Sequence, residues 1–195
     1  AEIVVFEKSH HVSFANCGLP YHLAGEIPDR EDLLLHTPDS LAASLALEVR
    51  TGHEVISIDR ERKVARVRRV EVLGDDAGGV LGDGAGAGST GDPGDGGSES
   101  GGGEYEESYD ALVLATGAAP IVPPLSGLDL PQVHVLRSVP DVDALVARVA
   151  AGARRAVVVG AGFIGLEVAE AFRARGLEVT IVEMADQVRA PLDPE

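Results

Sequence analysis

Short apolar runs of strand length alternate along this chain with stretches in which apolar residues return every three to four positions, the pattern of interleaved strands and helices. Ile3, Val4, Val5 and Phe6 open it as a strand-like run. Thr37, Pro38 and Asp39 then supply an N-cap, a first-turn proline and a first-turn acid. Leu41, Leu45 and Val49 follow at four-residue spacing, predicting a short amphipathic helix with Gly52 as its stop. Glu54 to Ile58 and Val64 to Val72 read as strands joined through Asp59 to Lys63, and Tyr109 to Ala115 as a mostly apolar strand ending at Thr116 and Gly117. A second helix, from about Asp141 to Ala151, places Val142, Leu145, Val146 and Val149 on one face, with Gly152 closing it. Residues 118–140 hold five prolines and read as the connection between two units.

The most informative run lies near the end. Ala156 to Val159 predicts a buried strand, followed at once by Gly160, Ala161, Gly162, Phe163, Ile164 and Gly165, then by a helix in which Ile164, Val168 and Phe172 share a face. Gly176 closes that helix, Glu178 to Val182 predicts the next strand, and Glu183 stands at its end, eighteen residues after the last glycine. This is a GxGxxG turn in the context its chemistry requires. Gly160 permits the tight turn, Gly162 lets a pyrophosphate approach the backbone, and Gly165 lets helix and strand pack closely, while the helix N-terminus faces the anion. Glu183 would accept hydrogen bonds from a ribose diol. An acid there favours NADH over NADPH, whose additional phosphate meets like charge; Arg189, slightly beyond, softens that preference. The competing reading is a tight turn in an α/β protein with no nucleotide.

Leu177 to Glu183 (LEVTIVE) is echoed by Ala1 to Glu7 (AEIVVFE). If Glu7 is a second ribose-binding acid, its own strand, glycine loop and helix belong upstream of Ala1. The expected fold class is therefore α/β, with two Rossmann-like dinucleotide-binding units, both incomplete. The chain reads as a fragment of a longer protein and is not expected to turn over by itself. The expected division is 1–136 for the first unit and 137–195 for the second.

Composition changes this picture at one segment. Gly74 to Gly103 holds fourteen of the twenty-four glycines, and Gly74 to Glu107 carries nine acids with no Lys or Arg. Such a stretch buries too little apolar surface to offset its ordering entropy, so 74–107 is expected to be a disordered acidic insertion. The formal net charge of −16 is the wrong sign for a surface that must neutralise phosphates. No nucleic acid is expected as a partner. No apolar run approaches the ~20 residues needed to span a bilayer, no secretory leader is visible, and a single cysteine forms no internal disulfide. A cytoplasmic protein with no membrane partner is expected. The six histidines lack ligand spacing and a cysteine partner, so no metal site is expected.

That cysteine, Cys17, lies ten residues past Glu7. A lone cysteine is commonly a buried inert thiol. Here polar neighbours and the following Gly18 and Pro20 predict an accessible turn at a helix start, and the segment after a ribose acid leads back toward the reactive end of a bound dinucleotide. Phe6-Glu7-Lys8, the run from Ser13 to Tyr21 (SFANCGLPY), His53-Glu54-Val55, Ala115-Thr116-Gly117 and the Gly160 to Glu167 loop together resemble the pyridine nucleotide-disulfide oxidoreductases. Within that family they resemble the branch with one redox-active cysteine, nearest to the enzymes that reduce coenzyme A disulfide.

The resemblance implies that Glu7 and Lys8 lie at the adenosine end of FAD, that Val55 meets the adenine, and that Ala115, Thr116 and Gly117 pass near the same cofactor. It implies Cys17 as nucleophile beside the flavin, with Ser13 and Asn16 contacting coenzyme A. Gly160, Gly162, Ile164, Gly165 and Glu183 would hold NAD(P)H, Phe163 would gate the flavin face, and Glu167 would lie near the nicotinamide. A small-molecule disulfide is then the substrate, and a homodimer is expected at full length. Two rivals remain on sequence alone: an NADH peroxidase or oxidase cycling the same cysteine through sulfenic acid, and a non-catalytic nucleotide-binding module.

Overall fold

The computed structural model describes residues 1–70 and 103–188. In chain order the elements are β1 (Ile3–Glu7), β2 (Ser13–Phe14), a 3₁₀ turn (Asn16–Gly18), α1 (Leu19–Ala24), a second 3₁₀ turn (Arg30–Leu33), β3 (Leu34–His36), α2 (Pro38–Leu45), β4 (Leu47–Thr51), β5 (His53–Asp59), β6 (Val64–Arg69) and β7 (Glu104–Ser108). After a long irregular stretch come α3 (Val139–Ala150), β8 (Arg155–Val159), α4 (Phe163–Ala174) and β9 (Glu178–Val182). They form two compact units: Ala1–Ser13 with residues 36–70 and 103–123, and Phe14–Leu35 with residues 124–188. The chain is thus α/β as its pattern predicts, but the compact units do not follow a boundary at 136. Phe14–Leu35 packs with the C-terminal elements because Leu19, Leu23 and Leu33 share a core with Val139, Val142, Leu145, Val168 and Phe172.

In the first unit β1 and β4 run parallel, with Val5 opposite Val49 and Glu7 opposite Thr51. Thr37 caps α2 as expected, accepting from the Ser40 N–H while the Ser40 side chain accepts from the Thr37 N–H. The helix does not continue to Gly52. It ends at Ala46, whose φ of 52° is left-handed, and Leu47–Thr51 becomes a strand. The four-residue spacing from Leu45 to Val49 is coincidental: Val49 belongs to the ladder with β1.

β5, β6 and β7 form an antiparallel meander. Residues 104–107, expected within the disordered insertion, are strand: β7 pairs with β6, and its acids meet arginines of β6, of the β5–β6 turn and of β4. Glu106 pairs with Arg62, Glu104 with Arg66, and Glu107 with Arg50. Exposed pairs of this kind contribute ~0–1 kcal/mol each, so their part is to fix register and neutralise charge. The remainder of that expected insertion, residues 74–102, lies outside the described residues, as do Val72 and Arg189. Tyr109 to Ala115, read as a strand, is irregular: Val113 is 85% and Leu114 68% exposed. The Tyr109 N–H still donates to the Lys63 carbonyl at 3.0 Å, but an apolar strand persists only where a neighbouring strand accepts its backbone hydrogen bonds, and no described strand pairs with this segment.

In the second unit β8 and β9 are parallel, with Val158 opposite Ile181, and α4 makes the crossover. Val142 and Leu145 of α3 are buried as their spacing predicts. Gly152 ends α3 at φ 92°, and Gly176 follows α4 at φ 83°. No described helix is long and apolar enough to cross a membrane.

Candidate functional site

The second unit brings together the glycine turn, Glu183 and the cysteine segment. Gly160 has φ 99°, a conformation glycine adopts without strain, and its N–H donates to the Val182 carbonyl at 2.8 Å. A Cβ built on Gly165 would collide with the Gly160 carbonyl oxygen and press on Val158. That collision is why this turn takes glycine at the third glycine position of its motif: helix and strand are in contact there. Around Gly162 the situation is opposite, for a Cβ would meet nothing within 4 Å. Gly162 is also the N-cap of α4, with no side-chain cap, so the helix dipole is left to act on an anion. These features fit the pyrophosphate of a dinucleotide.

Glu183 sits just past β9 and closes the turn. One carboxylate oxygen accepts from the Ala161 N–H at 2.6 Å, the other from the Met184 and Ala185 N–H groups at 2.8 and 2.9 Å. The Ala185, Ala161 and Met184 amides hold its carboxyl below the usual carboxylate range, so it is an anion at neutral pH. The same acid that would bind ribose therefore also holds the glycine loop against β9. Glu7 ends β1 and accepts from the Ser9 N–H at 2.7 Å, the counterpart of the Glu183 bonds to the amides that follow it.

Cys17 is exposed on the 3₁₀ turn Asn16–Gly18, directly before α1, whose second position is Pro20. The turn is closed by the Gly18 N–H on the Ala15 carbonyl at 2.9 Å, and Ala15 N–H donates to the Leu33 carbonyl at 2.8 Å. Gly18 is buried, and a Cβ there would come within 3.0 Å of Leu33, so the turn and its sulfur are seated on the core.

Sequence comparison matches residues 1–195 to the family described as pyridine nucleotide-disulphide oxidoreductase. The chain belongs to that family. It is 34% identical, over its whole length, to coenzyme A disulfide reductase of Staphylococcus haemolyticus, and 33% identical to an NADH oxidase of Methanocaldococcus jannaschii. It spans 37% of the length of each of these relatives. Among solved structures, reduced Bacillus anthracis CoADR-RHD superposes with a TM-score of 0.80 at 36% identity, covering 98% of this chain and 30% of that one.

Phe163 and Ile164 are exposed on the first turn of α4, and Glu167 is exposed one turn on. Ser13 and Asn16 flank the chain's passage from one compact unit to the other, Ser13 in the first and Asn16 in the second. Glu7, Lys8, Val55, Ala115, Thr116 and Gly117 all belong to the first unit. There Gly52 N–H donates to the Ser9 carbonyl at 3.3 Å, tying the β4–β5 turn to the segment after Glu7. Val55 is exposed on β5, residues 115–117 are exposed, and Gly117 is left-handed at φ 66°. A strand-end carboxylate in this setting fits the adenosine end of a dinucleotide. Among the described residues no three His, Cys, Asp or Glu side chains group as a metal site.

Sequence reasoning missed the arginines that hold the cysteine segment. Arg30 pairs with Asp143, Arg175 Nε donates to the Leu23 carbonyl, and Arg137 Nη1 donates to Asn16 Oδ1, across 113, 152 and 121 positions of chain. No local signal marks contacts of that span.

The Glu183 geometry carries a prediction. In the full-length enzyme, Glu183→Gln keeps an acceptor oxygen but loses the charge and one acceptor. NADH affinity is expected to fall about tenfold, the scale of one charged hydrogen bond, while NADPH affinity changes less. Titration of each nucleotide checks it, and an unchanged ratio of the two dissociation constants would speak against the assignment.

Proposed function

We propose that this chain carries the nicotinamide-cofactor site, part of the FAD site and the redox thiol of a flavin-dependent NAD(P)H:disulfide oxidoreductase that reduces coenzyme A disulfide. The observation that supports this most is an exposed Cys17 on a rigid turn, in the same compact unit as a glycine loop fitted to a dinucleotide. Gly160, Gly162 and Gly165 would hold the pyrophosphate of NAD(P)H and Glu183 its ribose, with Phe163 and Glu167 serving the nicotinamide end. Glu7, Lys8, Val55 and residues 115–117, all of the first unit, would hold FAD. The protein is homodimeric at full length.

When bound, FAD supplies a two-electron relay between the hydride donor and sulfur. The chain's own chemistry is at Cys17. Its thiolate attacks one sulfur of the substrate, a new S–S bond forms, the old one breaks, and one coenzyme A leaves as a thiolate that takes up a proton. Two electrons then cleave the mixed disulfide, releasing the second coenzyme A and restoring the Cys17 thiolate. The sum is one NAD(P)H and one proton consumed for two thiols released.

The likeness to an NADH oxidase favours a second reading, in which Cys17 passes through sulfenic acid and reduces peroxide or oxygen. One experiment separates them. The full-length enzyme is given NADH with coenzyme A disulfide, with hydrogen peroxide, or with oxygen alone, and both NADH loss and free thiol are followed. Two thiols per NADH, at a rate well above that with peroxide, is the expected result. Faster turnover with peroxide transfers the assignment to the second reading, and no turnover with any acceptor leaves a nucleotide-binding module.

A further inference from the structure

Three arginines fasten the cysteine segment to α3 and α4, and one of them differs from the others. Arg30 Nε reaches both oxygens of Asp143, at 2.9 and 3.0 Å, and Arg175 Nε reaches the Leu23 carbonyl at 2.8 Å. Both bonds join elements to one another. Arg137 ends instead on the side chain of Asn16, the residue before the sulfur, with Nη1 2.6 Å from Oδ1.

Arg137 is itself held in place. It precedes α3, and its N–H donates to Asp141 Oδ2 at 2.9 Å, the oxygen that also accepts the Ser138 N–H and hydroxyl, each at 2.8 Å. The capping box of a twelve-residue helix thus anchors the arginine backbone.

A guanidinium has donors only, so the Asn16 carboxamide must turn its oxygen to Arg137. The amide NH₂ is what remains for any molecule that comes to the exposed Cys17. We propose that Arg137 is a positioning residue that locks Asn16 as a hydrogen-bond donor beside Cys17, so that the disulfide substrate presents an acceptor oxygen there, an amide carbonyl or a phosphate oxygen. This rests on reading Cys17 as the site of disulfide reduction. Without Arg137 the carboxamide is free to rotate, and one of its two orientations sets oxygen against oxygen.

Steady-state kinetics of the full-length holoenzyme test it. Arg137→Met is expected to raise KM for coenzyme A disulfide about tenfold, with kcat within about twofold of wild type. Arg137→Lys, which keeps a donor, is expected to recover most of the loss. Asn16→Asp, which keeps an oxygen for Arg137 but has no N–H, is expected to match Arg137→Met. Pantethine, which has the amides but no phosphate, separates the two acceptors: an equal KM effect assigns the amide carbonyl, and an effect confined to coenzyme A disulfide assigns phosphate. Wild-type KM in Arg137→Met, or in Asn16→Asp, overturns the proposal. Should the wild-type enzyme reduce no disulfide, the functional reading fails by itself, and crystal structures of the wild-type and Arg137→Met holoenzymes decide the pairing. Asn16 oxygen on Arg137 in the first and a turned amide in the second uphold it, and the same amide orientation in both overturns it.

Discussion

Replacing Cys17 by serine is expected to abolish reduction of coenzyme A disulfide by the full-length enzyme, lowering kcat about 10³-fold or more, the scale on which removal of a nucleophile acts. The step requires a sulfur that can both form an S–S bond and be released from it by two electrons, and a hydroxyl does neither. No second thiol in this chain can substitute, because Cys17 is its single cysteine. The turn itself should survive: Cys17 is exposed, while the groups that close the turn are the backbone of Ala15, Gly18 and Leu33. Thermal unfolding of the variant should therefore match wild type, and thiol release should be lost. Substantial thiol release by Cys17→Ser would remove this sulfur from the mechanism, and a large fall in unfolding temperature would return it to a structural role.

The second large effect is expected at Gly165. Alanine there drives a methyl into the Gly160 carbonyl, which is backbone and has no rotamer to escape into. Helix α4 and strand β8 must separate, at a cost of about 2–3 kcal/mol and a fall in Tm on the order of 5–10 °C. NADH binding should weaken with it, since the N-terminus of α4 moves. Gly162→Ala is the informative contrast. A Cβ at Gly162 has nothing within 4 Å and φ is an ordinary −72°, so Tm should hold while NADH affinity falls, because the methyl occupies the side from which the pyrophosphate approaches. Equal losses of Tm in the two variants would contradict this division of labour.

The β8–turn–α4–β9 unit was legible in the sequence because its constraints are local. A left-handed Gly160, a contact at Gly165 and an acid at a strand end all fall within thirty residues, and β9 spans the residues the pattern predicts. Legibility failed wherever a decision was made by a distant partner. β4 was hidden because Leu41, Leu45 and Val49 mimic a helix face, whereas Val49 is committed to Val5, forty-four positions away. β7 reads as part of a solvated acidic stretch because the arginines that meet Glu104, Glu106 and Glu107 lie far off in the chain, on β6, in the β5–β6 turn and on β4. Tyr109 to Ala115 has the composition of a buried strand, but composition supplies no ladder. At the candidate site the sulfur and the glycines could be named from their neighbours, whereas Arg137 could not, because its partner lies 121 residues away.

The strip Phe14–Leu35 contributes Leu19, Leu23 and Leu33 to an interior that otherwise belongs to residues beyond 124. A recombination breakpoint in the proline-rich link would thus carry off the glycine-turn segment with a bare hydrophobic flank, its missing leucines left behind in the donor gene. An exchange of this segment is expected to fold only when the sulfur-bearing strip travels with it, so the cysteine and the glycine turn behave as one transplantable piece.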